Sequence, residues 1–250
     1  MSYEHFVLKV DSFDSQNKTR NPIELTFPNT SINNIVKVIV KNASIPNIFY
    51  NITSKNNKIT FYGNEGAPSV FIWSVGHYTM TTLLQAFNTW YGSTPLSLNE
   101  VTNKIMFSFS TDLTFDHNNS TIFYNLGLDE DIDFYVQAVS VVGSTSAPFI
   151  CDLSGVKNIY IESKALSAMN TIETTGYYAY IGNIGVTDYP YGSVINYINQ
   201  EMDLESINRS TGYNINLSKI DLTLRDSHHN ILDMSNIDWH INFKIIYKTE

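Results

Sequence analysis

Apolar and polar residues alternate along most of the chain with the two-residue period of β-strands. Segment 22–28 shows this alternation between two prolines, and segment 35–41 is rich in the β-branched residues that favour strands. The same signals, separated by polar turns, predict strands at 6–10, 48–52, 59–62, 70–73, 105–109, 136–142, 149–153, 156–162, 177–181, 193–198, 214–224 and 239–247. The chain is therefore expected to consist mainly of short strands.

One segment follows a helical period instead. Its apolar residues recur three and four positions apart: Met80, Leu83, Leu84, Phe87 and Trp90. Thr79 is a suitable N-cap and Gly92 stands just past the end. The pattern predicts one short helix near residues 79–91 that packs its apolar side on a sheet, an interpretation we prefer to a ligand groove.

About a dozen short strands with turns between them and one helix are typical of an all-β fold, either a β-sandwich or a jelly roll. We expect a single jelly-roll β-sandwich domain over residues 1–250, with inserted loops around 54–99 and 163–175. We find no internal repeat and no low-complexity linker.

Composition and charge narrow the class of protein. The 250 residues are 43% hydrophobic and 16% charged, which supplies a core and excludes wholesale disorder. The net charge of −9 argues against a protein that tracks nucleic-acid phosphates, because such binding needs a basic surface. Asn, Ile and Tyr are abundant, which favours turns and strands, although AT-rich codons would give the same bias.

The cysteine content and the first residues suggest where the protein folds. Cys151 is the only cysteine, so no intramolecular disulfide can form. The sequence begins without a basic segment followed by an apolar stretch, so we expect no secretory signal and folding in a reducing compartment such as a host cytoplasm. No uncharged stretch is apolar enough to predict a membrane span.

Side chains that could carry chemistry are few. His228 and His229 form the most metal-like pair, but we interpret them as a solvated turn. The acidic loop 129–133 could gather oxygen ligands for Ca²⁺, yet it lacks the glycine and terminal glutamate of an EF-hand. Cys151 is interpreted as a small buried strand residue, and Gly182-Asn183-Ile184-Gly185 as a turn. We therefore predict no catalytic residue, no metal and no cofactor.

Five motifs in a fixed order give the chain a family resemblance. They occupy residues 38–52, 75–88, 123–128, 151–161 and 220–239, and together they resemble the penton (minor capsid) proteins of virophages and polinton-like viruses. The residues that carry the resemblance are Ile45, Pro46, Asn47, Tyr50, Asn51, Gly76, Tyr78, Gly127, Asp152, Gly155, Asp226 and Trp239. The closing turn departs from the family pattern, since His228-His229-Asn230 replaces the usual glycine. We expect Asn230 to supply the positive φ there.

The resemblance implies a structural virion protein with no enzymatic activity. Five copies of one jelly roll would form a homopentamer that closes the five-fold vertices of an icosahedral capsid and contacts the major capsid protein. A head-to-tail ring needs two different, complementary flanks on each subunit. Exposed loops would face the host, so a host receptor or glycan is a further candidate partner, whereas direct contact with nucleic acid is not expected.

Two other functions stay open at the level of sequence. The 13% aromatic content suits a jelly-roll attachment or glycan-binding module on a virion surface, in which exposed rings stack on sugars. A β-sandwich hydrolase would need a carboxylate such as Asp131 or Asp133 as its catalytic group, and we rank it last.

Overall fold

A computed structural model describes residues 2–16, 19–26, 35–63, 66–166, 171–173, 176–199 and 219–249. The strands are β1 (Ser2–Asp11), β2 (Ile23–Thr26), β3 (Ile35–Pro46), β4 (Lys58–Gly63), β5 (Ser69–Ile72), β6 (Leu96–Asn99), β7 (Lys104–Phe107), β8 (Leu113–Phe115), β9 (Phe134–Val136), β10 (Thr145–Ser146), β11 (Asn158–Glu162), β12 (Thr171–Glu173), β13 (Gly176–Tyr178), β14 (Tyr180–Gly185), β15 (Val194–Ile198), β16 (Lys219–Arg225) and β17 (His240–Thr249). The helices are α1 (Met80–Tyr91), α2 (Phe123–Leu126) and α3 (Val139–Val142).

The chain divides into two compact units. Unit 1 combines residues 1–49 and 156–250, and unit 2 is the continuous segment 50–155. Unit 2 contains the insertion predicted at 54–99 and continues beyond it to Gly155. The insertion predicted at 163–175 falls in unit 1 and lies partly outside the described residues. The interpretation of the whole chain as one jelly-roll domain stays a prediction.

Eight strands of unit 1 form two four-stranded antiparallel sheets, in the orders β1-β17-β3-β15 and β14-β11-β16-β2. In chain order these eight strands pair as first with eighth, second with seventh, third with sixth and fourth with fifth. Such nested pairing is what rolling one long hairpin into two sheets produces, and it defines a jelly roll. The predicted all-β jelly-roll fold is confirmed.

Burial explains why these strands hold their register. β1 and β17 pair over all ten residues, from Ser2 opposite Thr249 to Asp11 opposite His240. In β17, Ile241, Phe243 and Ile245 are buried while their neighbours are more exposed. A shift by one residue would turn these three side chains to solvent, so the buried face fixes the pairing.

The two sheets of unit 1 approach each other closely at Gly182 in β14. A Cβ atom added there would lie 2.6 Å from Cγ2 of Val40 in β3. The segment Gly182-Asn183-Ile184-Gly185 is therefore part of a strand, and its interpretation as a turn was wrong. Glycine occurs here because a side chain would overlap the opposite sheet.

Unit 2 combines short strands with the predicted helix. Its sheets have the orders β5-β4-β8-β9 and β10-β7-β6. Thr79 caps α1 by accepting a hydrogen bond from the Thr82 amide, and Gly92 ends it in the left-handed conformation with φ of 80°. Leu83, Leu84 and Phe87 are the buried side of the helix, so its predicted position and caps are confirmed, whereas Trp90 of the predicted apolar side is 47% exposed.

Three predicted strands have a different structure. Residues 48–51 and 149–153 are extended or bent chain without a sheet partner, although Ile52 forms an isolated bridge with Gly76. Of residues 136–142, Val136 ends β9 and Val139–Val142 form α3. Phe49 and Ala138 are buried there outside any strand, whereas Phe149 and Ile150 are exposed, and a short apolar run does not distinguish these cases from a strand.

None of the helices in the described part of the chain is long and apolar enough to span a lipid bilayer.

Candidate functional site

Asn51 joins three separate segments of unit 2. Its side chain is buried, and its Nδ2 donates to the carbonyl oxygens of Tyr78 at 2.7 Å and Leu153 at 3.0 Å. Its Oδ1 accepts from the amide of Tyr78 at 2.8 Å. Asn51 thereby ties the beginning of unit 2 to the segment before α1 and to the end of the unit.

Two further asparagines extend this arrangement. Asn56 Nδ2 donates to the Asn51 carbonyl at 2.9 Å and to Asn125 Oδ1 at 3.1 Å. Asn125 Nδ2 donates to the Asp152 carbonyl at 2.9 Å, and the Asp152 amide donates back to the Asn125 carbonyl at 3.1 Å. We call Asn51, Asn56 and Asn125 the asparagine network. The primary amide suits this task because it donates and accepts at once and can replace a missing backbone partner in a loop.

Glycines allow the loops to approach the network. Gly155 has φ of 63°, and a Cβ added to it would lie 3.2 Å from Cβ of Asn51. Gly127 ends α2 with φ of 72°, and an added Cβ would overlap the carbonyl group of Phe149. Gly76 exchanges two backbone hydrogen bonds with Ile52, at 2.9 and 3.1 Å. Larger residues at Gly127 or Gly155 would separate these segments.

The predicted residues of unit 1 secure its own loops. Ile45 is fully buried at the end of β3, where Pro46 is opposite Val194 of β15. The next residue, Asn47, donates from its amide to the Ser193 carbonyl and from Nδ2 to the Tyr189 carbonyl, at 2.8 and 2.6 Å. These bonds hold the loop that leads into β15.

The closing turn and Trp239 complete the predicted set. Asp226 Oδ1 accepts from the amides of His228 and Asn230 at 2.9 and 2.8 Å. The positive φ belongs to His229, at 62°, so the expectation that Asn230 adopts it was wrong. Asn230 contributes a bond from Nδ2 to Asp226 Oδ2 instead. Trp239 is buried, as predicted, and its backbone amide donates to Ser12 Oγ.

The twelve predicted residues thus do not converge on one pocket. Asn51, Gly76, Tyr78, Asp152 and Gly155 meet around the asparagine network, with Gly127 in the adjoining turn. Those of unit 1 lie in separate loops and strands, and Tyr50 is partly exposed. Sequence reasoning missed Asn56 and Asn125, although Asn125 stands within the motif 123–128, where a polar residue between apolar ones could have indicated a buried hydrogen bond.

The fold of this chain is similar to that of proteins with solved structures. The chain superposes on the mavirus penton protein with a TM-score of 0.51 and 11% sequence identity, over 99% of this chain and 100% of that chain. The two proteins share a fold. The Sputnik virophage structure aligns with a TM-score of 0.46 and 14% identity, over 98% of each chain. No protein-family model and no curated protein matches the sequence. The resemblance inferred from the ordered motifs is confirmed as a likeness in fold.

Asp116, His117 and Asp133 in unit 2 could hold a metal ion. Each offers one ligand atom, and these atoms lie within 4.8 Å of one another. Asp133 Oδ1 accepts from the His117 amide at 2.9 Å and contacts His117 Nδ1 at 2.7 Å. Asp133 is the only residue of the acidic loop 129–133 in this cluster.

Hydrogen bonds inside this cluster favour the charged form of its carboxylates. The side-chain bond from Asn119 to Asp116 Oδ2, at 2.7 Å, lowers the pKa of Asp116, and the His117 amide lowers the pKa of Asp133. Tyr62 donates to Asp116 Oδ2 at 2.9 Å, which raises the pKa of the phenol. The carboxylates are thus stabilised in their charged form by donors of the protein itself.

The other candidate groups have structural partners. His229 contacts the Tyr180 hydroxyl through Nδ1, and its carbonyl accepts from Arg225 at 2.8 Å. Cys151 lies in a loop, not in the predicted strand, and is only partly buried. Its Sγ is 3.1 Å from the Asn103 carbonyl, and desolvation raises the pKa of the thiol, which disfavours the reactive thiolate.

Seven aromatic residues lie in the core of unit 2: Phe61, Trp73, Phe87, Phe107, Phe109, Phe115 and Phe123. Eight others are exposed: Tyr3, Phe13, Tyr50, Trp90, Tyr124, Tyr135, Phe149 and Tyr191. A groove of about 730 Å³ runs beside α1 and β6, and it is lined by hydroxyl, amide and aliphatic side chains and the Glu100 carboxylate, without an aromatic ring. This groove therefore lacks the stacking platform on which the glycan hypothesis depends.

Proposed function

We propose that this protein is a penton capsomer, a structural virion protein whose homopentamer closes the five-fold vertices of an icosahedral capsid. The observation that carries the proposal is the nested pairing of the eight strands of unit 1, in a chain that shares its fold with the mavirus penton protein from end to end. A capsid role needs a rigid fold and complementary surfaces, and it needs no catalytic group.

The candidate site supports a structural role. The polar atoms of the asparagine network bind backbone groups of loops, and the carboxylates of Asp116 and Asp133 accept hydrogen bonds from neighbouring residues. These side chains determine the shape of unit 2 and serve no reaction in our proposal. We accordingly propose that the protein is not an enzyme.

Unit 2 enters this proposal as an insertion into one jelly-roll domain. It lies between β3 and β11, the third and fourth jelly-roll strands. The Asn51 amide connects the beginning of the unit to Leu153 near its end, so the insertion starts and finishes at neighbouring points. An insertion with adjacent ends leaves the pairing of the flanking strands unchanged.

The partners follow from the same proposal. Each subunit contacts two copies of itself and the major capsid protein of the same virus. The net charge of −9 suits protein partners better than the genome, and the virion is the proposed location.

Electron microscopy tests the function directly. Purified protein, alone and mixed with the major capsid protein, is imaged in negative stain, and a tagged copy is located in assembled capsids. We expect five-fold rings and density for the tag at the vertices. Tagged copies elsewhere in the capsid, or excluded from it, would contradict the proposal.

A further inference from the structure

The sheet β1-β17-β3-β15 exposes apolar side chains along its two edges. β1 and β15 are its edge strands among the described residues. Tyr3 and Val7 of β1 are 63% and 42% exposed, and Val194 and Ile198 of β15 are 46% and 65% exposed. We call Tyr3 and Val7 the β1 flank, and Val194 and Ile198 the β15 flank.

Both flanks belong to the outer face of the sheet. Val10 of β1 and Ile195 of β15 are buried in the core, and side chains alternate along a strand, so Val7 and Val194 point away from that core. Between the flanks, the outer face of β17 carries His240, Asn242 and Lys244. The same face also carries Ile246 of β17 and the buried Ile39 of β3, so the exposed apolar side chains described on this face lie at its edges.

The β15 flank also lacks charge. β15 and the neighbouring edge strand of the other sheet, β14, contain no charged residue. Edge strands of soluble proteins are usually protected by lysine or other charges against pairing with another chain. Charge depletion around exposed apolar residues is the composition of an interface core.

The net charge of the protein indicates that a second copy of this chain binds at these flanks. In a protein of net charge −9, copies repel one another except where a surface lacks carboxylates. The β15 flank meets this condition. On β1, Glu4 and Asp11 are offset in part by Lys9, so that flank carries little net charge beside its apolar residues.

The two flanks differ and lie at opposite edges of one sheet. Three strand spacings separate them, which is about 14 Å. A contact between two different surfaces is head-to-tail, and it closes into a ring when the rotation fits. We propose that the β15 flank of each copy binds the β1 flank of the next copy. The number of copies in the ring, five, rests on the proposed function, whereas the contact itself does not.

The size of the contact determines how it must be tested. β15 has five residues and spans about 17 Å, and a two-sheet edge about 20 Å wide gives about 350 Å². A standard interface buries about 800 Å² on each partner. A single contact is therefore weak, and the closed ring, in which every copy makes two contacts, stabilises the assembly.

Covalent trapping detects such a weak contact. In a Cys151→Ser background, which removes the only cysteine, Val7→Cys and Ile198→Cys are made singly and together, and a short bis-maleimide is added at high protein concentration. We expect monomers from each single variant and a ladder that ends at five from the double variant. The control pairs Val7→Cys with Ile231→Cys, a residue of unit 1 that is exposed outside this sheet, and should give no ladder.

Three results would overturn the contact. The first is dimers from a single variant, which would indicate a symmetric interface. The second is the same ladder from the control pair, and the third is no ladder from the double variant. Val7, Ile198 and Ile231 are exposed, and unchanged thermal unfolding of each variant relative to the Cys151→Ser background confirms that it folds.

A charge substitution separates this inference from the proposed function. Ile198→Asp should weaken self-association about tenfold or more and reduce incorporation at vertices, whereas Ile231→Asp should do neither. If Ile198→Asp assembles like the wild type at vertices, the contact is wrong and the penton function stands. If the ladder forms but the protein is absent from vertices, the contact stands and the penton function is wrong.

Discussion

The two units of this protein bury their apolar residues in different ways. In the described part of unit 1, three of the twenty-five residues of the core cluster are aromatic, and most of the others are Ile, Leu and Val. In unit 2, seven of nineteen are aromatic. β-branched residues suit long pleated strands that alternate in burial, whereas large rings fill the irregular space between short strands, loops and a helix.

The units also differ in what fixes the chain. Unit 1 depends on ladders between strands that are distant in sequence, above all β1 with β17. Unit 2 depends on side chains that bind backbone groups of loops, as Asn51, Asn56 and Asn125 do. Side chains such as Asn47 and Asp226 also bind loop backbone in unit 1. Regular pairing satisfies the backbone of the jelly-roll strands, whereas the short strands of unit 2 leave more loop backbone for polar side chains to bind.

Substitution of one buried tryptophan in each unit gives the largest expected effect. Trp239→Ala should lower the stability of unit 1, and Trp73→Ala that of unit 2, by about 3–5 kcal/mol, because each removes a fully buried ring. Hydrogen exchange measures the result: amides of β17 should lose protection in the first variant and amides of β4 in the second. Equal loss in both strands from either variant would show that the units unfold as one.

The second largest loss of stability is expected when the side-chain amide of Asn51, the central residue of the asparagine network, is removed. Asn51→Ala should destabilise unit 2 by about 3 kcal/mol, because it leaves the backbone groups of Tyr78 and the Leu153 carbonyl unpaired. The control is Asn57→Ala, since Asn57 makes one described side-chain bond, to the Trp73 carbonyl. Denaturant unfolding of both variants compares them, and equal losses would contradict the central role of Asn51.

Substitution of two glycines that end helices distinguishes the stability cost of a strained backbone from the cost of close packing. Gly127 and Gly92 have φ of 72° and 80°, but an added Cβ meets Phe149 only at Gly127 and meets no atom within 4 Å at Gly92. Gly92→Ala should cost about 1 kcal/mol for the left-handed backbone, and Gly127→Ala about 2 kcal/mol or more. The readout is thermal unfolding, and a larger loss at Gly92 would refute the packing argument.

Low pH should produce the smallest loss of stability, and this loss should be confined to unit 2. The pKa of Asp116 and that of Asp133 are lowered in the folded protein, so their contribution is present above the ordinary aspartate pKa near 3.8 and is lost as pH falls through the lower, folded values. Asp116→Asn should therefore be less stable than the wild type near neutral pH, with the difference shrinking below about pH 3.8.

Thermal unfolding of Asp116→Asn as a function of pH measures this change. Glu130→Gln, an exposed substitution in the same acidic loop, is the control and should follow the wild-type curve. A difference between Asp116→Asn and the wild type that widens in acid would contradict the assignment.

The sequence predicted the regular parts of both units well. Alternation located β1, β3, β15 and β17, and the caps at Thr79 and Gly92 bounded α1 to within a residue. Residues 149–153 were wrongly predicted as a strand, because a short apolar run also occurs in loops, and Phe149 and Ile150 are exposed there. Gly182 shows the reverse error, since only the opposite sheet explains a glycine within β14.

The candidate site was predicted residue by residue but not as an assembly. The family resemblance selected Asn51, Gly76, Tyr78 and Gly155, which meet in unit 2, together with Asn47, Asp226 and Trp239, which secure unit 1. Asn56 and Asn125 were missed because asparagine is common in this chain and is typical of exposed turns.

The sequence by itself determined that this protein is an all-β fold with one short helix, since hydrophobic periodicity and helix caps act over a few residues. Only the tertiary structure decided which strands are neighbours, which asparagines are buried and which sheet edges expose apolar residues without charge. Those properties depend on pairs such as Ser2 with Thr249, which are opposite each other in the sheet although almost the whole length of the chain separates them, and which leave no local pattern.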